Sequence, residues 1–310
     1  MADDLARRFL HVNLNCESVA ATEVLYADVL GLQPRMRTDP AVPGEGAMLG
    51  LDGQTYTATS FLYDARGGRN GCALEVIEWT TPPLKFDSNT DPVRPGIRSA
   101  LFTVANLADA VGRLRDAGVA VSEPVAGLIS GTKSVLAQDA DGVVVEVAEA
   151  PNETPGALFA GIRISAVDTL ATTDFLTAIG FTVIDAPALV SVTGEQLAPG
   201  AGGESVDCVV SRLALPEDGH QFAVTVVQHP DTREHPIPWG GNRQGLYRCA
   251  LRVENLDRAL SALPDSVEQH GDPVWCPLPG TKIEGLYIAF LRSPDGVVFE
   301  FVERPLSFFR

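Results

Sequence analysis

The sequence is poor in cysteine and in basic residues. Its five cysteines are odd in number, lie far apart and form no C-x-x-C pair, which excludes a disulfide framework and a zinc knot. Lysine and arginine total 23 against 40 aspartate and glutamate residues, which leaves a formal net charge of −17. An excess of negative charge argues against binding to nucleic acid or to an anionic membrane surface. We therefore expect reduced thiols and neither of those two partners.

Long hydrophobic runs are also absent. No apolar stretch reaches the roughly 20 residues that a transmembrane helix needs. Residues 1–10 contain two aspartates as well as two arginines and lack the apolar core of a secretory signal, so we expect a cytoplasmic protein. Aromatic residues make up only 7% of the chain, which gives little support for broad stacking clefts.

Much of the sequence occurs twice. SALFTVANL at residues 99–107 returns as RCALRVENL at residues 248–256, and DGVVVE at residues 141–146 returns as DGVVFE at residues 295–300. A period of about 150 residues is too long for a solenoid and fits a duplicated domain. We predict two domains, which cover residues 1–151 and 158–310 and are joined by the linker PNETPG.

Each half divides again into two similar units. In each unit an alternating strand precedes a segment of helical spacing, and several strands follow one another directly, as antiparallel neighbours do. The predicted module bounds are residues 1–82, 96–151, 158–231 and 245–310. This order predicts an α+β architecture. In the first module, Ser18 is the predicted helix N-cap and Gly31 the predicted C-cap.

Alternation along the strands separates two faces, one apolar and one polar. In the first predicted strand His11, Asn13 and Asn15 share the polar face, and in the strand that ends module one Glu75 shares a face with Trp79. These residues are ordinary outward residues of half-exposed strands, or they line a functional site.

Glu146 is the corresponding acid in the last strand of the second module, where its neighbours are valines. A carboxylate inside an apolar strand is unfavourable when it is buried without a partner, and it is tolerated on a solvated face or beside a cation.

Together these features resemble the vicinal oxygen chelate superfamily, which includes glyoxalase I, extradiol dioxygenases, bleomycin-resistance proteins and several epimerases. The resemblance rests on the strand–helix–three-strand order, the histidine that opens the first strand, LYADVLGL at residues 25–32, and an Asp-Gly turn before a last strand with a central Glu. It covers essentially the whole chain. It implies four βαβββ modules in two glyoxalase-like domains with cupped, mixed or antiparallel sheets.

In that superfamily paired modules form a cup, and each module supplies one metal ligand from its first strand and one from its last. The resemblance therefore implies that His11, Glu75 and Glu146 hold a metal ion, with Ser99 at the fourth position. One imidazole and two carboxylates suit a divalent ion such as Fe, Mn, Ni, Zn or Co. The second domain is expected to be metal-free, because Arg248 stands at a ligand position there and would pair with the acid of the last strand, Glu300.

This ligand set depends on which modules share a cup. The simplest arrangement pairs the first module with the second and the third with the fourth. If the first module instead pairs with the fourth, His11 and Glu75 face Arg248 and Glu300, and the case for a metal site is weakened.

The resemblance implies a metal-dependent isomerase or lyase, similar to an epimerase, that acts on a small polyoxygenated metabolite through a metal-chelated enolate. Glu146 is the first candidate for the general base and Glu75 the second. We expect Glu146→Gln to abolish turnover and to spare the fold. The residues expected to contact substrate are Asn13, Asn15, Ser99, Trp79 and Arg248.

Other functions stay open at this point. A non-catalytic small-molecule binder of the bleomycin-resistance type would use the same cups. Extradiol cleavage is favoured less, because it needs two histidines and a carboxylate on iron and only one histidine is in register. In the second domain Arg163, Arg248 and Arg252 would bind an anionic ligand or pair with acidic neighbours. The assembly is a monomer whose domains form a pseudo-dimer, or a homodimer.

Overall fold

The computed structural model describes residues 4–86, 91–235, 239–278 and 284–309, without the side chains at positions 48 and 309. Module one comprises β1 (Arg8–Cys16), α1 (Val19–Glu23), β2 (Gln33–Arg37), β3 (Gly44–Glu45), β4 (Gln54–Tyr63), α2 (Gly67–Asn70) and β5 (Ala73–Thr81). Module two comprises β6 (Gly96–Val104), α3 (Leu107–Asp116), β7 (Val125–Ala126), β8 (Lys133–Gln138) and β9 (Val144–Glu149).

The second half of the chain repeats the same order of elements. Module three comprises β10 (Leu158–Ser165), α4 (Thr169–Ala178), β11 (Thr182–Val192), β12 (Val206–Ala214) and β13 (Ala223–Gln228). Module four comprises β14 (Gly245–Val253), α5 (Leu256–Ser261), β15 (Glu268–Pro277), β16 (Gly285–Arg292) and β17 (Val298–Glu303). Short 3₁₀ turns occur at Gly46–Leu49, Gly194–Gln196 and Leu306–Phe309.

The strands form two mixed sheets, and each sheet contains one module from each half of the chain. The first sheet has the order β15-β16-β17-β14-β1-β5-β4-β2, with β3 paired to β4. The second has the order β11-β12-β13-β10-β6-β9-β8-β7. Module one therefore pairs with module four, and module two with module three. The expected pairing of neighbours along the chain is wrong, and the predicted domains 1–151 and 158–310 are each divided between the two sheets.

The first strands of the modules make these pairings. β1 runs antiparallel to β14, with His11 opposite Ala250, and β6 runs antiparallel to β10, with Ser99 opposite Arg163. Alternation of polar and apolar residues specifies the two faces of a strand, but it does not specify which strand lies along the free edge. The four first strands are similar in pattern, so the sequence left the partner of β1 undetermined.

The apolar faces of both sheets and the helices meet in one core. Phe102 stacks on Phe159 with ring centroids 4.8 Å apart, and Phe9 contacts Phe222 at 4.4 Å. These rings are fully buried and come from modules one, two and three, and the same apolar cluster extends into module four through Phe299. The opposite face of each sheet carries the inward polar residues. We call that face the first cup in the sheet of modules one and four, and the second cup in the other sheet.

The caps of the first helix follow the prediction in part. Ser18 accepts a hydrogen bond from the N–H of Ala21, and Gly31 has a φ of +85°, the left-handed conformation that favours glycine. Between them the helix widens at Val24–Val29 into a π-helical turn, in which the N–H of Leu30 bonds to the carbonyl of Leu25, five residues earlier.

Buried aspartates connect modules that come from different halves of the chain. Asp218 accepts a hydrogen bond from the N–H of Phe9 at 2.8 Å, and Asp64 accepts one from the N–H of Phe159 at 3.0 Å. Asp64 also forms an ion pair with Arg66. Burial raises the pKa of Asp218 to about 7, with the hydrogen bond from Phe9 acting in the opposite direction.

Asp218 makes folding less favourable as the pH rises. The folded chain holds the Asp218 proton more tightly than the unfolded chain, so stability is present below a pH of about 4 and is lost as the pH rises towards 7. Asp218→Asn keeps an acceptor for Phe9 and removes the buried charge. We expect the gain in unfolding free energy of the variant, relative to the parent, to be larger at pH 8 than at pH 5 by about 2–3 kcal/mol. Urea denaturation at both pH values measures this.

The matched control is Asp64→Asn. It also keeps an acceptor for a backbone N–H, but it removes the carboxylate that pairs with Arg66. We expect this control to lose stability at pH 8. Equal gains in both variants would contradict the assignment to Asp218.

Candidate active site

The floor of the first cup is a cluster of charged and polar side chains from four neighbouring strands. His11 comes from β1, Glu75 from β5, Arg248 from β14 and Glu300 from β17. Nε2 of His11 lies 3.3 Å from Oε2 of Glu75, and Nη2 of Arg248 lies 3.1 Å from the same oxygen. Nε of Arg248 lies 3.3 Å from Oε2 of Glu300. One guanidinium therefore connects two carboxylates that come from different halves of the chain.

The cluster is almost closed to solvent. The side chains of Glu75, Arg248 and Glu300 are 8–9% exposed, and that of His11 is 14% exposed. Burial alone lowers the pKa of Arg248, but attraction to Glu75 and Glu300 outweighs it, and the pKa lies above its ordinary value. Arg248 is therefore a fixed positive charge. The predicted pairing of Arg248 with Glu300 is confirmed, and its position also satisfies Glu75.

Three buried polar atoms at this floor make no hydrogen bond to the described residues: Nε2 of His11, Oδ1 of Asn13 and Nε of Arg248. The two nitrogens still lie 3.3 Å from a carboxylate oxygen, whereas no polar partner is found for the Asn13 oxygen among the described residues. Asn13 is fully buried and lies directly across from Glu75 on the neighbouring strand. A buried polar atom without a partner costs about 1–3 kcal/mol, and such atoms are concentrated at sites that bind a polar ligand. The first cup is therefore chemically prepared for one.

Asn15 has a different role from the one expected. Its amide nitrogen donates to the carbonyls of Gly241 at 2.7 Å and of Arg243, and its oxygen accepts from the indole N–H of Trp79 at 2.8 Å. The side chain thus fastens residues 239–243, which connect modules three and four, over the cup. Trp79 packs against Leu51 at the side of the cup.

An open cavity of about 520 Å³ lies over β15 and β16, and its lining does not include the four residues of the cluster. It is lined by Phe290, His270, Trp275 and Glu45, among others. Phe290 lies directly across from Glu300 on adjacent strands, so the cavity is next to the acid. On the same side of the cup Trp239 stacks on His270 with centroids 3.8 Å apart. Trp239, His270 and Phe290 were not predicted, because they lie in a connector and in edge strands whose sequence carries no motif.

The other predicted site residues, Glu146 and Ser99, lie in the second cup, where each forms hydrogen bonds with neighbouring residues. Glu146 is 1% exposed; it accepts hydrogen bonds from the N–H groups of Ile129 and Ser130, at 3.0 and 2.9 Å, and from the hydroxyl of Ser134 at 3.2 Å. Ser99 accepts from Nε of Arg163 at 3.1 Å. Because Glu146 belongs to the second sheet, the expected cluster of His11, Glu75 and Glu146 does not exist.

Arg163 is a large buried side chain of the second cup. It is 1% exposed and donates to the carbonyls of Pro92 and Leu197, at 3.2 and 3.0 Å. Leu197 packs there in an apolar cluster with Val93 and Cys208. Arg163 and Arg248 therefore lie in different cups. Arg252 is also buried, and it pairs with Glu217 and Glu254 outside both cups, which confirms the expectation of acidic partners for this arginine.

The first cup does not fit the divalent metal that the resemblance implies. His11, Glu75 and Glu300 are suitable donors, but Arg248 stands among them and its guanidinium forms ion pairs with both carboxylates. In the described ranges, no three His, Cys, Asp or Glu side chains are grouped closely enough to hold a metal ion. A divalent metal ion and the Arg248 guanidinium, both positive, would repel each other strongly at the same carboxylates.

Residues 8–147, just under half of the chain, match the model of the Glyoxalase/Bleomycin resistance protein/Dioxygenase superfamily. The whole chain is similar in fold to glyoxalase I from Zea mays, with a TM-score of 0.70 and 15% sequence identity over 98% of this chain and 94% of that one. The chain has the vicinal oxygen chelate fold. The predicted resemblance and the α+β fold are thereby confirmed.

Other comparisons agree on the fold alone. A putative dioxygenase from Bacillus subtilis has a TM-score of 0.59 and 15% identity, over 96% of this chain and 86% of that one. No curated protein matches the sequence. No helix in the described part of the chain is long and apolar enough to cross a membrane.

The position of Glu146 changes what its substitution is expected to do. Glu146→Gln keeps one acceptor oxygen but places an amide NH₂ against backbone N–H donors, so we expect a loss of about 1–3 kcal/mol of unfolding free energy. Chemical denaturation measures it. Glu123→Gln, at an exposed position, is the control and should be neutral. Unchanged stability in Glu146→Gln would contradict the loop-holding role.

The guanidinium of Arg248 is what keeps a metal ion out, and its replacement tests this. Arg248→His would place a second imidazole beside His11, Glu75 and Glu300, a donor set that suits Zn(II) or Ni(II). We expect this variant to bind Zn(II) at least tenfold more tightly than the parent, by titration calorimetry.

Arg248→Met is the matched control, because it removes the same charge and adds no strong donor. We expect it to bind zinc more weakly than Arg248→His. Equal zinc affinity in the parent and in Arg248→His would show that the guanidinium does not decide metal binding.

Proposed function

We propose that this protein is a metal-independent isomerase or lyase, which removes a carbon-bound proton from a small polyoxygenated substrate in the first cup. The observation that carries the proposal is the position of Arg248 between Glu75 and Glu300. A buried guanidinium there supplies fixed positive charge at the place where the family resemblance implies a metal. Fixed positive charge beside a carbonyl oxygen stabilises the enolate that forms when a neighbouring carbon loses a proton.

Glu300 is the proposed general base. Glu75 is held between His11 and Arg248, whereas the described contacts of the Glu300 carboxylate at the cluster are with Arg248 alone. Glu300 is also the acid that lies across from Phe290, which lines the 520 Å³ cavity. Proton transfer to a positioned carboxylate contributes about 10²–10⁴-fold to a rate.

The remaining residues would bind and orient the substrate. Asn13 has a buried carbonyl oxygen without a partner among the described residues, and it would accept a hydrogen bond from a substrate hydroxyl. His11 and Glu75 would fix the position of Arg248. The connector that Asn15 fastens would exclude water from the floor, which strengthens each electrostatic interaction there.

Solvent exchange tests the proposal without knowledge of the natural substrate. The protein, treated with a chelator, is incubated in D₂O with a panel of small α-hydroxy ketones and α-hydroxy aldehydes, and NMR follows loss of the carbon-bound proton signal. We expect exchange with at least one compound. Glu300→Gln should lower the rate about 10²-fold or more. Glu268→Gln, at an exposed position of β15, should not change it.

A second candidate function is a non-catalytic binder of a small, partly planar ligand. The stacked Trp239 and His270 and the half-exposed Trp275 beside the cavity favour it. Saturable binding of a panel compound without any proton exchange would favour the non-catalytic binder over the enzyme. Exchange that disappears with chelator and returns with added metal would overturn metal independence.

A further inference from the structure

A second cavity, of about 120 Å³, lies between the two sheets, outside both cups. It is found where β6 and β14 begin, and the turns that precede β9 and β17 also line it. Tyr247 lines this cavity, whereas the next residue, Arg248, belongs to the floor of the first cup. The cavity is therefore a neighbour of the candidate active site but a separate space.

Three arginines line the cavity: Arg94, Arg98 and Arg243. Two aspartates, Asp91 and Asp141, also line it, so the charged lining carries one excess positive charge in a chain whose net charge is −17. The lining further includes the amide side chains of Gln138 and Gln244, which can donate hydrogen bonds. Such a lining is typical of a site for a small anion.

Both acids already accept hydrogen bonds, and Oδ1 of Asp91 accepts one from the N–H of Val93 at 3.0 Å. Oδ1 of Asp141 accepts a hydrogen bond from the N–H of Glu17 and another from Nε2 of Gln244, each at 2.9 Å. Arg243, in contrast, has no carboxylate within 4.0 Å among the described residues, and its buried Nε has no hydrogen-bond partner there. A cation that faces a cavity in this way is a ready donor to an anionic oxygen.

Positive charge also accumulates behind the cavity wall. Arg163 donates to the carbonyl of Pro92, and Pro92 lines the cavity. Burial and, after it, repulsion from Arg98 lower the pKa of Arg163 to about 10. Attraction to Glu146 acts in the opposite direction but does not restore the ordinary value. An anion between Arg163 and Arg98 would relieve their repulsion.

The backbone keeps the cavity open. Gly142 and Gly296, in the two Asp-Gly turns, have φ values of +80° and +77°, which favour glycine. Gly96 and Gly245, at the starts of β6 and β14, also line the space. A volume of about 120 Å³ admits a free ion but not a large organic molecule.

We propose that this cavity between the sheets binds a small oxyanion of the phosphate class, held chiefly by Arg98 and Arg243. Bound there, the ion would connect β6 of the second sheet with the residues that precede β14 of the first. The site does not depend on the proposed activity of the first cup, because it uses none of the four residues of that floor.

Titration calorimetry with inorganic phosphate, in a buffer of constant ionic strength set by chloride, tests the proposal. We expect saturable binding of one ion per chain to the full-length protein, with sulfate competing. Arg243→Gln should weaken phosphate binding at least tenfold, and Arg98→Gln should do the same. Arg115→Gln, on an exposed face of α3, is the matched control and should leave affinity unchanged.

Two further arms keep the test decisive. If a variant fails to fold, the thermal midpoint of the parent protein in phosphate is compared with that in chloride, and a rise specific to phosphate and sulfate supports the site. Glycerol phosphate distinguishes a free ion from a phosphate ester, and we expect it to bind more weakly. Absence of saturable phosphate binding, or equal affinity in the parent and in Arg243→Gln, would overturn the proposal.

Discussion

The structure of the first cup depends on one buried guanidinium. Arg248 lies between Glu75 and Glu300, and all three side chains are more than nine-tenths buried. Taking an ion out of water costs several kcal/mol, so each of these charges is tolerated only because the others are present. β14 has to lie beside β1 for Arg248 to reach Glu75, and the pairing of module one with module four is therefore linked to this charge balance.

The two cups show what the same scaffold does with different residues at equivalent positions. In the first cup the charged groups pair with one another, and the buried oxygen of Asn13 is left without a partner among the described residues. In the second cup the acid Glu146 holds a loop, Arg163 bonds to backbone carbonyls, and apolar side chains occupy the remaining space. The second cup also has a buried hydroxyl without a partner among the described residues, that of Thr225 across from Arg163, but it lacks the linked charges of the first cup.

Much of the fold could be predicted from the sequence, because it depends on local patterns. The alternation that placed His11 and Asn13 on one face of β1 is observed, and so is the repeated strand–helix–strand order. The partner of β1 could not be predicted, since a strand pattern carries no information about its neighbouring edge. The error in the metal-ligand set follows directly: Glu146 has the expected place within its own module, but that module belongs to the other sheet.

The interleaved order of the modules also affects how the chain is made. When residues 1–151 have left the ribosome, β1 and β6 each still lack the antiparallel neighbour that the second half supplies, β14 for one and β10 for the other. Both strands then present an open edge of backbone N–H and C=O groups, the kind of edge that pairs with foreign strands. The second sheet is complete only when module three has been synthesised, and the first sheet only when module four has been synthesised. The antiparallel contacts at the centre of each sheet can therefore form only late in translation.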